Sequence, residues 1–535
     1  MKKSILLLIF AVTNISGQTF TKIDSLKGSN TEFRNFWDVK KYELSVEPNF
    51  DNQSVSGTNK ITFEITKDIS NPVFQIDLQQ PMTYKIINSE GLTAERDGDF
   101  IFIKTNKTYK KGETHSFNIE FSGNPTIAKK APWDGGWVFT KDKNGNPWAT
   151  AAQEGIGASV WLPIKDIWSD EPDNGIVMKI ITAKDLVGIG NGRLIAKTAE
   201  NNKNTFTWEV KNPINAYSII PSIGKYVNFK DTYEGEKGKL DLDYWVLDYN
   251  LDKAKKQFVQ VKPMMKAFEY WFGPYPFYED SYKLVESPHL GMEHQSNVAY
   301  GNNYQNGYLG RDLSGTGVGL NWDFIIIHET GHEWFANNIT AKDQADMWVH
   351  EGFTSYSETL FTEHYMDKAS GEKYIIGVRQ GIRNDIPIIG NYGVRSEGSG
   401  DMYPKGANML HTIRQVINND EKFRQILRGL NKDFYHQTVT SKQVEDYISS
   451  KSGIDFSSVF NQYLRTVKIP VLEYSQKGNQ LKYRYTNVVE NFKLPLRLKN
   501  NQIIQPKTEW QTLKLKDKNP VQFDENYYVN YVMKN

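Results

Sequence analysis

His328-Glu329-Thr330-Gly331-His332, followed after eighteen residues by Glu351 within Trp348-Val349-His350-Glu351-Gly352-Phe353, is the stretch on which the reading of the fold turns. On a helix, residues four apart share a face, so His328 and His332 project together, one turn apart. Two imidazoles at that spacing reach one metal ion, and Glu329 points beside the ion, where a general base for an activated water belongs. Glu351 supplies a third ligand from a second helix. Three protein ligands leave a fourth position for water, as a catalytic zinc site requires. The competing reading is a solvated helix face. It fits poorly, because Phe324-Ile325-Ile326-Ile327 precedes the motif and Trp334-Phe335 follows it, so the helix is apolar nearly all round and expected to be buried. Buried His and Glu need partners, and a metal provides them. Asp323 stands where this helix needs an N-cap.

Outward from this helix, helical spacing holds at residues 347–365, 405–418, 421–431, 441–451 and 456–465, and upstream at 254–272, where Gly273-Pro274 ends it. Residues 286–300 are too polar and interrupted for a helix and read as an edge strand with a loop. Earlier in the chain the period is two. Val55, Gly57, Asn59, Ile61, Phe63 and Ile65 share one face, and similar runs recur at 73–78, 100–104 and 115–121 between Gly, Asn and Asp turns. Residues 133–173 are dense in Gly, Trp and Pro, the composition of a loop region that faces a site. After Lys468-Ile469-Pro470 the pattern returns to strand: Leu481, Tyr483 and Tyr485 alternate with Lys482 and Arg484, and Leu494, Leu496 and Leu498 follow the same rule.

The chain has 535 residues, more than one core usually holds, so several domains are expected. A net charge of +1 gives no footprint for nucleic acid. Cysteine is absent, which excludes disulfides, thiolate metal sites and cysteine nucleophiles. Met1-Lys2-Lys3, an apolar run over residues 5–12 and Ile15-Ser16-Gly17 read as a secretory signal peptide cut before Gln18. That run is too short to span a bilayer, and no later segment approaches transmembrane length. The expected organisation is a signal peptide (1–17), a polar lead-in (18–40), a β domain (41–250), a zinc catalytic domain (251–467) and a C-terminal β-sandwich (468–535).

Several motifs in combination resemble one family, the zinc aminopeptidases of the aminopeptidase N and leukotriene hydrolase type, gluzincins of the thermolysin-like clan. His328-Glu-Thr-Gly-His332-Glu-Trp-Phe-Ala-Asn337 resembles its zinc helix, and Trp348-Val-His-Glu351-Gly-Phe353 its third-ligand segment. Gly291-Met292-Glu293-His294 is similar to its exopeptidase motif, Tyr403-Pro-Lys405-Gly406-Ala407 to its catalytic tyrosine segment. Asn212-Pro213-Ile-Asn215-Ala-Tyr217 and Trp168-Ser-Asp170-Glu-Pro172 are similar to β-domain segments.

The resemblance implies a multidomain α+β chain. Its parts would be a saddle-like antiparallel β domain, a thermolysin-like, mainly helical catalytic domain and a C-terminal β-sandwich, with no counterpart of the long helical domain of larger members. It implies one zinc ion and a peptide substrate with a free N-terminus. Glu329 would be the general base and Tyr403 the hydroxyl that stabilises the tetrahedral intermediate. Glu293 would bind the substrate's α-ammonium, with Glu154 as a second amine contact and Gln153 bonding nearby. Met292 would line the first side-chain pocket, and Gly291 would let an extended substrate approach the backbone. Glu358 reads either as a partner of a ligand His or as an ordinary helix salt bridge, and His350 as structural. Two positions depart from the pattern: His294 stands for the family's Asn and Leu290 for its first Gly. A zinc endopeptidase of the same clan and a non-catalytic zinc-containing peptide-binding protein are the rival readings.

Overall fold

Alternating burial builds the first sheet. The computed structural model describes residues 19–87 and 90–534, so the signal-peptide expectation lies outside the described residues. The first element, α1 (Lys22–Gly28), is closed at its start by a capping box between Thr21 and Asp24. Seven strands follow: β1 (Trp37–Asn49), β2 (Ser54–Ile65), β3 (Thr83–Ile87), β4 (Thr114–Gly123), β5 (Ile176–Ala183), β6 (Arg193–Glu200) and β7 (Lys203–Val210), ordered β6-β7-β5-β1-β2-β4-β3. On β2, Val55, Asn59, Ile61, Phe63 and Ile65 are buried while Ser56, Thr58 and Lys60 face out.

Two features differ from the sequence reading. The polar lead-in contains α1, and β1 already begins at Trp37, because a register shift between Val39 and Lys41 breaks the alternation there. The sheet is also not wholly antiparallel: β1 and β5 run parallel, with Tyr42 opposite Ile176. A parallel partner needs a long crossover, which residues 50–175 supply.

A second sheet joins this region to the helices. It contains β8 (Tyr226–Gly235), β9 (Gly238–Leu247), β10 (Tyr282–Glu286), β11 (Gly291–Met292) and β12 (Val298–Tyr300), ordered β8-β9-β10-β12-β11, so the two-residue β11 forms an edge. The helices that matter for the site are α2 (Val261–Phe272), α3 (Phe324–Gly331), α4 (Trp348–Tyr365) and α5 (Pro404–Ile417). Asp323 caps α3, its Oδ1 accepting from the Ile325 and Ile326 amides at 3.1 and 3.3 Å. The apolar run past His332 does not extend α3. The backbone leaves helical geometry at Phe335 and Ala336, so His332 sits at the C-terminal end of the helix. Gly331 lets α3 lie close on α4, since a Cβ there would meet Ser357 Oγ at 2.6 Å. A Cβ on Gly406 of α5 would likewise stand 3.1 Å from Gly352 Cα on α4.

The C-terminal β region is a four-stranded sheet of β13 (Val471–Lys477), β14 (Gln480–Thr486), β15 (Gln511–Lys514) and β16 (Asn530–Met533), ordered β15-β14-β13-β16, with a separate ribbon of Leu496–Arg497 and Ile503–Ile504. Its Leu472, Leu481 and Tyr485 belong to the same buried cluster as the catalytic helices, whereas the first sheet has its own core around Trp37, Trp161 and Trp208. Among the described residues no helix is long and apolar enough to cross a membrane.

The β domain and the helical domain meet through polar and aromatic contacts. Trp168 stacks on His350 with ring centroids 5.0 Å apart, Arg395 pairs with Asp166 at 2.8 Å, and on the β-domain side Asn215 Nδ2 donates to Trp168 O at 3.1 Å and to Glu171 Oε1 at 3.2 Å. Burial pushes the Glu171 carboxyl up to about 7, against the opposing pull of Thr340 and Asn215. An unfolded Glu titrates at about 4.3, so between about pH 4.3 and 7 the folded state binds the extra proton and stability falls as pH rises. The expected loss across that window is up to about 4 kcal/mol, and Glu171→Gln should flatten it. Urea unfolding of both proteins at about pH 5 and about pH 8 measures the difference, and equal slopes would exclude Glu171 as its source.

Candidate active site

The zinc-type motif is assembled from two helices. His328 and His332 of α3 place their Nε2 atoms 3.5 and 3.4 Å from Glu351 Oε2 of α4, and all three residues are buried. The other ring nitrogens are tied down. His328 Nδ1 donates to Glu358 Oε1 at 2.7 Å, and Tyr374 donates to Glu358 Oε2 at 2.6 Å. His332 Nδ1 donates to the Phe335 carbonyl at 3.0 Å, an acceptor left free because the helix breaks there. Both Nδ1–H bonds leave the Nε2 lone pairs facing inward.

These residues fit a zinc ion. Glu351 Oε2 is buried and has no hydrogen-bond partner among the described residues. Two imidazoles and one carboxylate are a common donor set for catalytic zinc. Burial opposes the Glu351 charge, but His332 and His328 outweigh it and hold the carboxyl below the usual range. The carboxylates of Glu351 and Glu358 in turn raise His328 against the effect of burial. A site that strengthens an imidazole's hold on a proton also strengthens its hold on a divalent cation.

Glu329 lies beside this triad. Burial pushes its carboxyl up to about 7, against the pull of His328 and His332. Edge strand β11 runs directly over it: a Cβ on Gly291 would stand 2.7 Å from Glu329 Oε1. A larger residue at 291 would therefore have to displace the Glu329 carboxylate.

Glu293 follows β11, on a loop held by the distal end of the zinc-motif segment. Asn337 Nδ2 donates to Glu293 O at 2.8 Å, and Glu333 Oε1 accepts from the Ser296 amide at 2.8 Å. Ligand atoms of Glu293, Glu329 and His332 lie within 4.8 Å of one another, so the Glu293 carboxylate adjoins the His-His-Glu site. Glu154 arrives from the β domain, just beyond the strand Pro147–Ala152. Glu154 Oε1 and Glu293 Oε1 are both buried without a partner among the described residues. Burial, then the charges of Glu293 and Glu351, push Glu154 well above the carboxylate range. Such a pair calls for a cation.

Tyr403, at the start of α5, places its ring 6.0 Å from that of His328. Tyr403 is partly open to the cleft, and desolvation of its hydroxyl there, with the carboxylates of Glu351, Glu154 and Glu293, raises it, so it remains a donor at neutral pH. Lys405 is committed elsewhere, to Thr466 O at 2.9 Å. His328, Glu329, His332, Glu351, Glu293, Glu154, Gly291, Met292 and Tyr403 all line one cleft of about 1010 Å³.

Gln153 is the exception among the expected site residues. It is fully buried behind the cleft, accepts from Trp161 Nε1 at 2.7 Å and donates to Ile219 O at 3.1 Å. Its amide supports the Glu154 loop and is not free for substrate. His294 is buried with an unpartnered Nε2 and joins neither cluster of metal-type ligands among the described residues. His350 accepts from the Ala341 amide at 2.8 Å beneath Trp168, a structural role. Sequence reasoning missed Tyr217 as a site residue. Its hydroxyl is buried without a partner among the described residues and is raised by burial and then by Glu293, Glu154 and Glu351, behind the wall of the cleft. The segment Asn215-Ala-Tyr217 was the available signal.

Fold and site together define a gluzincin architecture, with HExxH on one helix and the distal Glu on the next. The comparisons agree. The peptidase M1 N-terminal domain matches residues 39–218 and the peptidase family M1 domain matches residues 257–463. The chain belongs to peptidase family M1. It is 21% identical to probable aminopeptidase 1 of Sulfurisphaera tokodaii over 386 residues, covering 68% of this chain and 48% of that one. It is 25% identical to aminopeptidase N of Lactococcus lactis over 219 residues, covering 37% and 26%. The chain spans about half the length of the first curated relatives it matches, 48% and 55%. An M1 zinc metallopeptidase structure from Deinococcus radiodurans superposes with a TM-score of 0.66 at 19% identity, covering 82% of this chain and 96% of that one.

Removing the Glu358 contact tests the geometry around the metal. Glu358→Gln should weaken zinc binding by ~10–100-fold while leaving the three ligands in place. Competition against a chromogenic chelator reads this directly, and unchanged affinity would reduce Glu358 to a packing residue.

Proposed function

We propose that the protein is an exported zinc aminopeptidase that releases N-terminal residues from peptides. One observation carries the reading: two buried carboxylates, Glu293 and Glu154, have oxygens without partners beside a His-His-Glu site and its base. A peptide's free α-ammonium supplies the missing donors and the missing charge at once. An endopeptidase would have no use for that pair.

His328, His332 and Glu351 would hold the ion. When bound, zinc supplies Lewis-acid chemistry, polarising the scissile carbonyl and making water more acidic. Glu293 and Glu154 fix the amino end, so that only the first peptide bond reaches the base. Glu329 accepts a proton from the attacking water and later returns it to the leaving amine. Tyr403 donates a hydrogen bond to the oxygen on which negative charge develops. Gly291 keeps β11 close enough to hold Glu329 in place. Met292 lines the region where the first side chain rests.

Export is supported by the basic, apolar and small-residue pattern of residues 1–17. Fractionation of cells producing the full chain tests it, with cytosolic retention of an uncut chain as the opposing result.

Glu329→Gln should retain zinc, measured by metal analysis, and lose ~10³-fold or more in kcat. Tyr403→Phe should lower kcat by ~10²-fold with little change in KM. A panel of aminoacyl fluorogenic amides, free and N-acetylated, with and without chelator, decides the activity. Hydrolysis confined to free amines and abolished by chelation is expected, and cleavage of acetylated substrates would overturn the aminopeptidase reading.

A further inference from the structure

Seven carboxylate side chains line the cleft: Asp24, Glu154, Glu293, Glu329, Glu351, Glu358 and Glu397. Six have duties already. Glu329, Glu351 and Glu358 serve the metal and the base, and Glu154 and Glu293 face the amine. Asp24 is turned back on Thr21, 2.7 Å from both its amide and its hydroxyl. Glu397 is left over. Its carboxylate makes no hydrogen bond or ion pair among the described residues, whose one contact with Glu397 is to the backbone carbonyl, from Ser396 Oγ at 3.4 Å.

The loop carrying Glu397 is held at several points. Gly390 donates to Ala345 O at 3.0 Å and Gly393 to Asp343 Oδ2 at 2.7 Å. Arg395 reaches across to the β domain and pairs with both oxygens of Asp166, at 2.8 and 3.2 Å. On the far side, a Cβ on Gly398 would fall 1.9 Å from Ile388 O, so the backbone is pressed against its neighbour. A carboxylate on a loop held this way is preorganised; Glu397 is exposed to the open cleft and carries its charge there with no protein cation beside it among the described residues. Arg395, the one Lys or Arg lining the cleft among the described residues, has its charge taken by Asp166.

The surroundings of Glu397 suit a particular kind of ligand. Val394, Met347 and Met402 line the same cleft and offer apolar surface. Lysine and arginine carry a methylene stem that needs apolar contact and a charged end that needs an anion. Glu397 shares the cleft wall with Glu154, Glu293 and Met292, six residues before Tyr403.

We propose that Glu397 closes the pocket for the side chain of the N-terminal residue and selects lysine and arginine there. This rests on the aminopeptidase reading, with the α-ammonium at Glu293 and Glu154. Glu397 is a specificity-determining residue in this scheme and takes no part in bond cleavage.

Arginine and citrulline have nearly the same shape and differ in charge, so their amides isolate the effect. Binding of L-argininamide and L-citrullinamide to the zinc-loaded Glu329→Gln protein is measured by calorimetry, and kcat/KM for arginyl, lysyl, citrullyl and leucyl fluorogenic amides is measured on the active enzyme. The expected result is a preference for arginine over citrulline of ~10-fold or more in both measurements, abolished by Glu397→Gln while leucyl turnover stays within about twofold. Glu397→Lys should invert the preference, disfavouring the cationic side chains. Equal handling of arginine and citrulline by the unsubstituted pocket overturns the proposal without recourse to any Glu397 variant. An equal loss for all substrates in Glu397→Gln also overturns it, assigning Glu397 to the amine instead. If no free-amine substrate is hydrolysed or bound by zinc-loaded protein, the aminopeptidase reading fails first and the proposal falls with it.

Discussion

Repulsion between buried carboxylates is the constraint that organises this molecule. Glu351, Glu329, Glu293 and Glu154 share one cleft, and each raises or opposes the charge of another. Left alone, such an arrangement relaxes by protonation or by moving apart. The surrounding structure prevents the second outcome. Asp323 fixes the start of α3, Gly331 seats α3 on α4, and Asn337 and Glu333 hold the loop behind β11. What remains is a set of carboxylates relieved by protonation or by cations, which in the proposed reaction are a metal and a ligand's amine. Binding strength in this site thus has its source in strain that the fold maintains.

The part of this that could be read in the sequence is the part encoded locally. His328 and His332 are four residues apart on one helix, and helix geometry alone makes them neighbours. The ends of α4 and α5 fell within a residue or two of the apolar periodicity, and the alternation along β2 is visible in its side chains. Glu351 is separated from His332 by only eighteen residues, a short excursion to the adjacent helix.

Other features depend on contacts between distant segments, which periodicity does not carry. Tyr217 and Glu397 come from opposite domains, and only the folded chain brings Tyr217 beside Glu293 and Glu397 into the cleft wall. Gln153 looks like a substrate contact beside Glu154, yet Trp161 and Ile219 take up its amide in the core. The end of α3 was hidden for a different reason. Trp334 and Phe335 continue an apolar run, so composition predicts more helix, whereas the backbone turns away and gives His332 the Phe335 carbonyl. The irregularity that breaks the pattern is what orients a ligand.

The junction between the β domain and the helical domain has a meaning beyond stability. Glu154 belongs to one domain and Glu293 to the other, while the metal ligands and the base all lie on the second. In the proposed reaction the chemistry and the measure of distance from the chain end therefore reside in different domains. A small shift across the Trp168–His350 and Asp166–Arg395 contacts would move one jaw of the amine clamp and leave the scissors untouched. On the proposed reading, drift at this seam, in evolution or by design, would alter where along a peptide the cut falls well before it altered whether a cut is made.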